Sequence, residues 1–309
     1  MYWRDGVPVK LTDGSLKALA YSLVVSGKDV FVAGFEVNNA DKGVAKYWKN
    51  GVGVNLTDGS KSAIATSIFV SGSDVYVAGY EWQDATFTIA IAKYWKNGVV
   101  VNLTDGTKDA HAESIAASGN DIYVAGWERN GSGNTVAKYW KNGITVNLSD
   151  GTRNAVASSV VVSGTNVYVG GDQYFGGVKA TYWKNGTAVY LTDGSTIAYA
   201  YSIAVSGNDI YVAGEEGING VSNITPGAKY WKNGIPVNLT NGSKGASATS
   251  ITVSGNDVYA AGYEYYPIAG SGASSPVAIY WKNKDAIYLS DTSGAINTGQ
   301  AFSIFLANQ

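Results

Sequence analysis

The chain has no cysteine. Disulfides, thiolate zinc sites and cysteine nucleophiles are therefore excluded. It has one histidine, His111, and one methionine, Met1. A single histidine without a Gly-x-Ser-x-Gly elbow supplies no catalytic triad, and His111 reads as a loop residue without a function. Charged residues make up only 15% and the net charge is −2. Half of the 22 basic residues sit at two repeated positions. A near-neutral chain with evenly spread lysines is a poor match for nucleic acid, so no such partner is expected. No apolar run approaches the roughly 20 residues that cross a bilayer, so no membrane insertion is expected either. No signal peptide is visible. Met1 stands directly before Tyr2-Trp3, in the middle of a repeat, so the chain is expected to start truncated and the missing signal says little about location.

What is abundant is repetition. Tyr-Trp-basic-Asn/Asp recurs seven times, with tryptophans at Trp3, Trp48, Trp95, Trp140, Trp183, Trp231 and Trp281. Their separations are 45, 47, 45, 43, 48 and 50 residues. A second motif, Val-Tyr-Val-Ala-Gly or a close variant, ends at Gly34, Gly79, Gly126, Gly171, Gly214 and Gly262, always 31 residues after a tryptophan. From that glycine to the next tryptophan the count varies between 12 and 19. All length variation thus falls in one segment per repeat, which marks a repeat architecture with one variable face.

Each repeat reads as four short strands. In one repeat they are Ala65 to Ser71, Asp74 to Ala78, Ile91 to Lys96 and Val99 to Thr104. Gly72-Ser73 joins the first pair and Asn97-Gly98 the second, the latter a strong hairpin signal. Four antiparallel strands with this period make a propeller blade. The Ser-Ile-x-Val-Ser-Gly-x-Asp-Val-Tyr-Val-Ala-Gly, Ala-Lys-Tyr-Trp-Lys-Asn-Gly and Val-Asn-Leu-Thr-Asp-Gly-Ser segments resemble bacterial repeat β-propellers with WD40-like or NHL-like blades. The resemblance covers nearly the whole chain. It implies an all-β fold and is nearly silent on activity; the Gly-His…Trp-Asp signature of true WD40 repeats is absent.

The expected fold is a seven-bladed β-propeller over residues 1–309, one domain. Six blades would be complete. A seventh would combine Phe302 to Leu306 as strand one with Tyr2-Trp3 and Val9 to Leu11 as strands three and four, and would lack strand two. A six-bladed propeller with extra terminal strands is the alternative. The repeated Tyr and Trp are expected to fill the seams between blades. The repeated turn acids Asp13, Asp58, Asp105, Asp150, Asp193 and Asp291, with Asn241, are expected to bond their own backbone. No Asp-x-Asp-x-Asp cluster offers calcium its six to eight oxygens, and neither metal nor cofactor is expected.

Candidate binding residues come from positions that vary between otherwise similar blades. After strand two stand Phe35-Glu36, Tyr80-Glu81, Trp127-Glu128, Asp172-Gln173, Glu215-Glu216 and Tyr263-Glu264. A second variable set enters strand one at Tyr21, Thr66, Glu113, Ser158, Tyr201 and Thr249, beside unvarying alanines. With loop aromatics such as Trp82 and Tyr174, these residues place carboxylates, amides and rings on the long-loop face, a mixture suited to sugars or peptides. The expected site comprises Phe35, Glu36, Tyr80, Glu81, Trp82, Trp127, Glu128, Gln173, Tyr174, Glu216, Tyr263 and Glu264. The expected function is a non-catalytic binding or scaffold protein holding a glycan or protein there. The alternatives are a structural display module grown by recent amplification or engineering of one blade, and a carboxylate-based glycosidase or lyase. A cluster of strongly raised carboxylate pKa values in one pocket would favour that last reading. A monomer is expected, with strand exchange open at the incomplete blade, and a secreted or cell-surface bacterial location.

Overall fold

The computed structural model describes residues 1–84, 86–217, 226–268, 273–289 and 299–306. The chain opens with the hairpin β1 (Tyr2–Arg4) and β2 (Val7–Val9). Four strands then follow in each repeat. The first set is β3 (Ala18–Ser26), β4 (Asp29–Val37), β5 (Gly43–Lys49) and β6 (Val52–Asn55); the second is β7 (Ala63–Ser71), β8 (Asp74–Trp82), β9 (Ala90–Lys96) and β10 (Val99–Asn102). The third is β11 (Ala110–Ser118), β12 (Asp121–Arg129), β13 (Thr135–Lys141) and β14 (Ile144–Asn147); the fourth is β15 (Ala155–Ser163), β16 (Asn166–Tyr174), β17 (Val178–Lys184) and β18 (Thr187–Tyr190). The fifth is β19 (Ala198–Ser206), β20 (Asp209–Gly217), β21 (Pro226–Lys232) and β22 (Ile235–Asn238); the sixth is β23 (Ala246–Ser254), β24 (Asp257–Pro267), β25 (Ser274–Lys282) and β26 (Asp285–Tyr288). Each set is a four-stranded sheet in chain order, so the fold is a β-propeller with six four-stranded blades.

The seven-blade expectation is corrected to six. β1 and β2 pair only with each other, and Phe302 to Leu306 forms no strand. The reason is the missing strand two: without it no ladder joins an inner strand to outer ones. The turn acid Asp291 lies outside the described residues.

Contacts divide the chain into two units, residues 1–164 with 307–309, and residues 165–306. In the first unit the aromatic dipeptides fill the seams on either side of their blade. Trp95 packs with Phe31, Ala33 and Ala45 of the first blade, whereas Tyr94 packs with Ile115, Val124 and Trp140 of the third. Adjacent strand residues point to opposite faces, which is why one dipeptide serves two seams. Trp48, Trp95 and Trp140 are buried. Leu11 packs on Trp48 as Leu103 packs on Trp140, so the N-terminal hairpin covers the first blade as outer strands do elsewhere. In the second unit Trp281 packs with Tyr211 and Tyr230 of the neighbouring blade in the same way, and Trp183 and Trp231 are also buried.

Strand two runs further than the sequence predicts. It passes through the glycine and ends at Val37, Trp82 or Arg129 rather than at Gly34, Gly79 or Gly126. The glycine marks a close approach rather than a stop. A Cβ on Gly79 would lie 2.0 Å from the Ile64 carbonyl oxygen, and Gly34, Gly126, Gly214 and Gly262 meet the same obstacle. What pushes that carbonyl inward is a β-bulge in strand one. Pairing shifts between Ala20 and Ser22, Ala65 and Ser67, Ala112 and Ser114, Ala200 and Ser202, and Ala248 and Ser250. The unpaired residue at each shift is Tyr21, Thr66, Glu113, Tyr201 or Thr249. Bulges re-aim a side chain and tighten local twist.

The opposite, tight-hairpin end is locked by repeated bonds. Asn97 has φ 51° and Gly98 φ 80°, the left-handed pair of a type I′ turn. Asn97 donates its amide to Asp74 and accepts the Val75 N–H, while Lys96 pairs with Asp74 at 2.9 Å. The Asn142, Asn233 and Asn283 turns repeat this arrangement with Asp121, Asp209 and Asp257. The Asp-Gly turns at the other end are closed locally. Asp58 accepts the Ser60 N–H and hydroxyl, as Asp13, Asp105 and Asp150 do in their repeats.

Two aromatic and acidic clusters at the long-loop strand ends

The second member of each variable pair is mostly engaged in an ion pair. Glu36 pairs with Lys46, Glu81 with Lys93, Glu128 with Lys138 and Glu216 with Lys229, across neighbouring strands two and three. These lysine side chains are buried at their heads, 7 to 13% exposed, so the pairs act as internal braces. The fourth blade replaces the pair by Gln173 and Thr181. The sixth replaces the lysine by Ile279, and the Glu264 carboxylate accepts instead from the Tyr288 hydroxyl at 3.4 Å.

The first members build something different. In the first unit Tyr80 stands on β8 and His111 on β11, directly opposite Trp127 on β12. His111 is therefore in a strand, not a loop. Its ring stacks on Tyr80 with centroids 3.6 Å apart at 15°, and lies 4.3 Å from the Trp127 ring. Trp82 meets Tyr80 edge-on at 5.0 Å and Phe87 at 5.1 Å. Phe87 has φ 54° and is half exposed. A left-handed backbone is unfavourable for a bulky residue and persists only where surroundings enforce it.

Polar groups edge these rings. Glu113, the bulge residue, accepts the Trp127 indole N–H at 3.2 Å. Its Oε1 lies 3.6 Å from His111 Nδ1, and Asp109 Oδ1 lies 3.7 Å from Nε2. Arg129 reaches Asp109 at 3.4 Å and the Trp127 ring face at 6.0 Å. Burial pushes the Tyr80 hydroxyl up, and the Glu113 charge adds to it. Tyr21 is raised by the same two causes and stacks beside Phe35 at 6.2 Å. Thr66, the bulge residue between Tyr21 and Glu113 in the series, instead donates to the Ala112 carbonyl at 2.8 Å and so ties one blade to the next.

In the second unit the same positions carry acids. Asp172 on β16 is buried, and its Oδ1 accepts the Ala200 N–H at 2.7 Å. Glu215 on β20 stands opposite Tyr199, the residue before Ala200, so both carboxyls meet at one point of β19. Burial pushes Asp172 up to about 8, against the downward pull of the Ala200 N–H, with the Glu215 charge adding a further rise. Burial also raises Glu215, while the neighbouring Ser247 and Tyr201 hydroxyls hold it down. Tyr199 and Tyr201 stack at 5.9 Å and 10°, and Tyr263 meets Tyr265 edge-on at 5.5 Å. Tyr174 is pushed up to about 12, first by burial and then by Tyr199 and Asp172.

Of the residues expected from sequence, Tyr80, Trp82 and Trp127 come together in the first unit. Tyr174 and Tyr263 lie beside the second cluster. Phe35 is buried, and Glu36, Glu81, Glu128 and Glu216 face lysines. The loop segments 218–225 and 269–272 lie outside the described residues. Asp109, Arg129, Tyr199 and Ser247 were not expected, and His111, Asp172 and Glu215 were not in the expected site. Blade-by-blade alignment held the signal: Asp172 and Glu215 are the two acids at a position that is otherwise Phe, Tyr, Trp or Tyr.

Among the described residues no group of three or more acids and histidines converges to hold a metal ion. No helix is long and apolar enough to cross a membrane, which says nothing of β-barrels.

No family model matches the chain, and no curated protein matches it. The resemblance to repeat propellers therefore stands as a β-propeller of small antiparallel four-stranded blades. Among solved structures it is similar to a puromycin-hydrolyzing peptidase of Mycobacterium tuberculosis, at 10% identity and a TM-score of 0.47 over 92% of this chain. The chain spans 54% of that protein's length. The expectation that the chain is not an enzyme is withdrawn: the similar structure is that of a puromycin-hydrolyzing peptidase, and the likeness assigns no activity here.

Proposed function

We propose that the long-loop strand ends of the first unit bind a carbohydrate, with Tyr80, Trp82, Phe87 and Trp127 as the ring surfaces and Asp109, Glu113 and Arg129 as the polar edge. The observation that carries this reading is the stack of Tyr80, His111 and Trp127 bordered by two carboxylates and a guanidinium. Sugars present apolar C–H faces and a rim of hydroxyls, and aromatic planes flanked by fixed acceptors and donors match both. The exposed Phe87, held in a left-handed backbone against Trp82, extends the ring surface towards solvent.

The test is a glycan array followed by titration of the hits. Binding should perturb the fluorescence of Trp82 and Trp127, and Trp82→Ala should weaken it roughly tenfold, the worth of one good aromatic contact. Absence of binding across the array at millimolar concentration would overturn the reading. So would full affinity in Trp82→Ala, or NMR shifts confined to the Asn-Gly hairpins.

A further inference from the structure

The second unit presents a buried negative site that lacks a positive partner. We propose that Asp172, Glu215, Tyr199, Tyr201, Tyr263 and Ser247 form a binding site for an organic ammonium group, such as a lysine side chain, a peptide amino terminus or an N-methylated amine. This goes beyond the carbohydrate reading, which concerns the other unit.

The first observation is charge. Every lysine and arginine of the chain lies among the described residues, and none forms an ion pair with Asp172 or Glu215. By contrast Glu36, Glu81, Glu128 and Glu216 each have a lysine. In the fourth blade the corresponding lysine is Thr181, fully buried and bonded to the Lys179 carbonyl. That lysine braces the second member of the pair in other blades, here the uncharged Gln173, so the fourth blade offers Asp172 no cation at this position either. A buried carboxylate without a partner is strongly unfavourable, and an incoming cation relieves that state.

The second observation is an orphaned hydroxyl. Ser247 is 1% exposed, and its Oγ has no hydrogen-bond partner of good geometry although it borders the Glu215 carboxyl and the Tyr263 hydroxyl. Buried polar atoms are nearly always paired, and exceptions mark places where a ligand or ion completes the set. The third observation is the ring inventory. Tyr199, Tyr201 and Tyr263 surround the acids, and tyrosine faces attract ammonium ions through their quadrupoles. The Tyr201 hydroxyl also borders Glu215, and its ring stacks on Tyr199. Carboxylate, hydroxyl acceptor and aromatic face are the three features an ammonium group uses.

Calorimetry and NMR on the full chain with methylammonium, N-acetyl-lysine methylamide, a dipeptide amide and tetramethylammonium distinguish the sources. 3,3-Dimethyl-1-butanol, the uncharged analogue of choline, controls for shape. At least one cation should bind and the alcohol should not. Glu215→Gln should weaken binding roughly tenfold or more, the loss expected of one buried charge partner. At pH 6, below the raised Asp172 value of about 8, Asp172 carries a proton facing Tyr174, Tyr201, Glu215 and the Ala200 N–H, so cation binding should release protons from the wild-type protein. Calorimetry in two buffers of different ionisation enthalpy reads that release without any variant. Equal binding of the alcohol, unchanged affinity in Glu215→Gln, no proton release, or no binding of any cation would each overturn the proposal.

Discussion

Replacing Asp172 by asparagine should stabilise the protein at alkaline pH and leave it unchanged in acid. Asparagine keeps the shape of aspartate and can still accept the Ala200 N–H, now 2.7 Å from Oδ1. What it removes is the charge. An aspartate of ordinary pKa, 3.8, loses its proton in the unfolded chain, whereas burial holds the folded carboxyl to about 8. Between those values the folded protein binds a proton that the unfolded chain has released. Stability therefore falls as pH rises through that window, because protons bound to the native state favour it only while they are available. At 1.36 kcal/mol per pH unit the full span corresponds to on the order of 5 kcal/mol, an upper figure because water can enter a strained site. Most of the loss is reached by neutral pH. Urea unfolding of wild type and Asp172→Asn at about pH 4, 7 and 9 measures it. Glu215 titrates in both proteins, so it largely cancels in the difference. The two should be nearly equal near the acid end and should diverge by several kcal/mol at pH 9, with the variant more stable. Parallel stability curves across the range would show that the Asp172 carboxyl is ionised at little expense, and would refute the burial argument.

Three further outcomes follow from packing. Trp95→Ala empties a seam between the first and second blades and should destabilise by about 3–5 kcal/mol in chemical denaturation; a change under about 1 kcal/mol would contradict the seam. Gly79→Ala should be worse than a usual strand substitution, since its Cβ meets the Ile64 carbonyl at 2.0 Å; a variant with unaltered melting temperature would mean the bulge relaxes freely. Ser250→Ala removes the hydroxyl that accepts the Ile304 N–H at 3.2 Å, so hydrogen exchange at Ile304 should accelerate while Ile251, held by Ser202, should not change; uniform rates would separate the C-terminal segment from that contact.

The blade was legible because its signals are local and periodic. Asn97-Gly98 specifies a type I′ hairpin by φ alone, and Tyr94-Trp95 specifies two buried faces by alternation. Seven tryptophan motifs did not make seven blades, because a blade needs a strand two and among the described residues no segment supplies one. The C-terminal segment nevertheless shows how far the repeat extends. Thr249 donates to the Ala301 carbonyl at 2.6 Å and Ser250 accepts from Ile304, as Thr66 and Ser67 do with Ala112 and Ile115. The inner-strand contacts survive where the ladder does not, since they need only one backbone strand and one side chain from the neighbour.

The sites were half legible, and the hidden half has one physical cause. Variation between blades marked the strand ends where both clusters stand, including the set Tyr21, Thr66, Glu113, Tyr201 and Thr249. Periodicity could not show that these residues sit on a bulge, because a bulge breaks the very alternation that reveals a strand. Nor could it divide the variable pair after strand two. The constant glutamate looked like the functional member, yet its constancy reflects a lysine two residues before the tryptophan, Lys46, Lys93, Lys138 or Lys229. Where that lysine is absent, at Thr181 and Ile279, the second member is freed of its brace. The first member has no lysine brace in any blade. It is therefore the position where one repeat can differ from the next without unmaking the scaffold: aromatic on Tyr80 and Trp127, acidic on Asp172 and Glu215. Two chemically distinct clusters at equivalent places are what such a position permits, and a single ligand preference would require the same residue type at both.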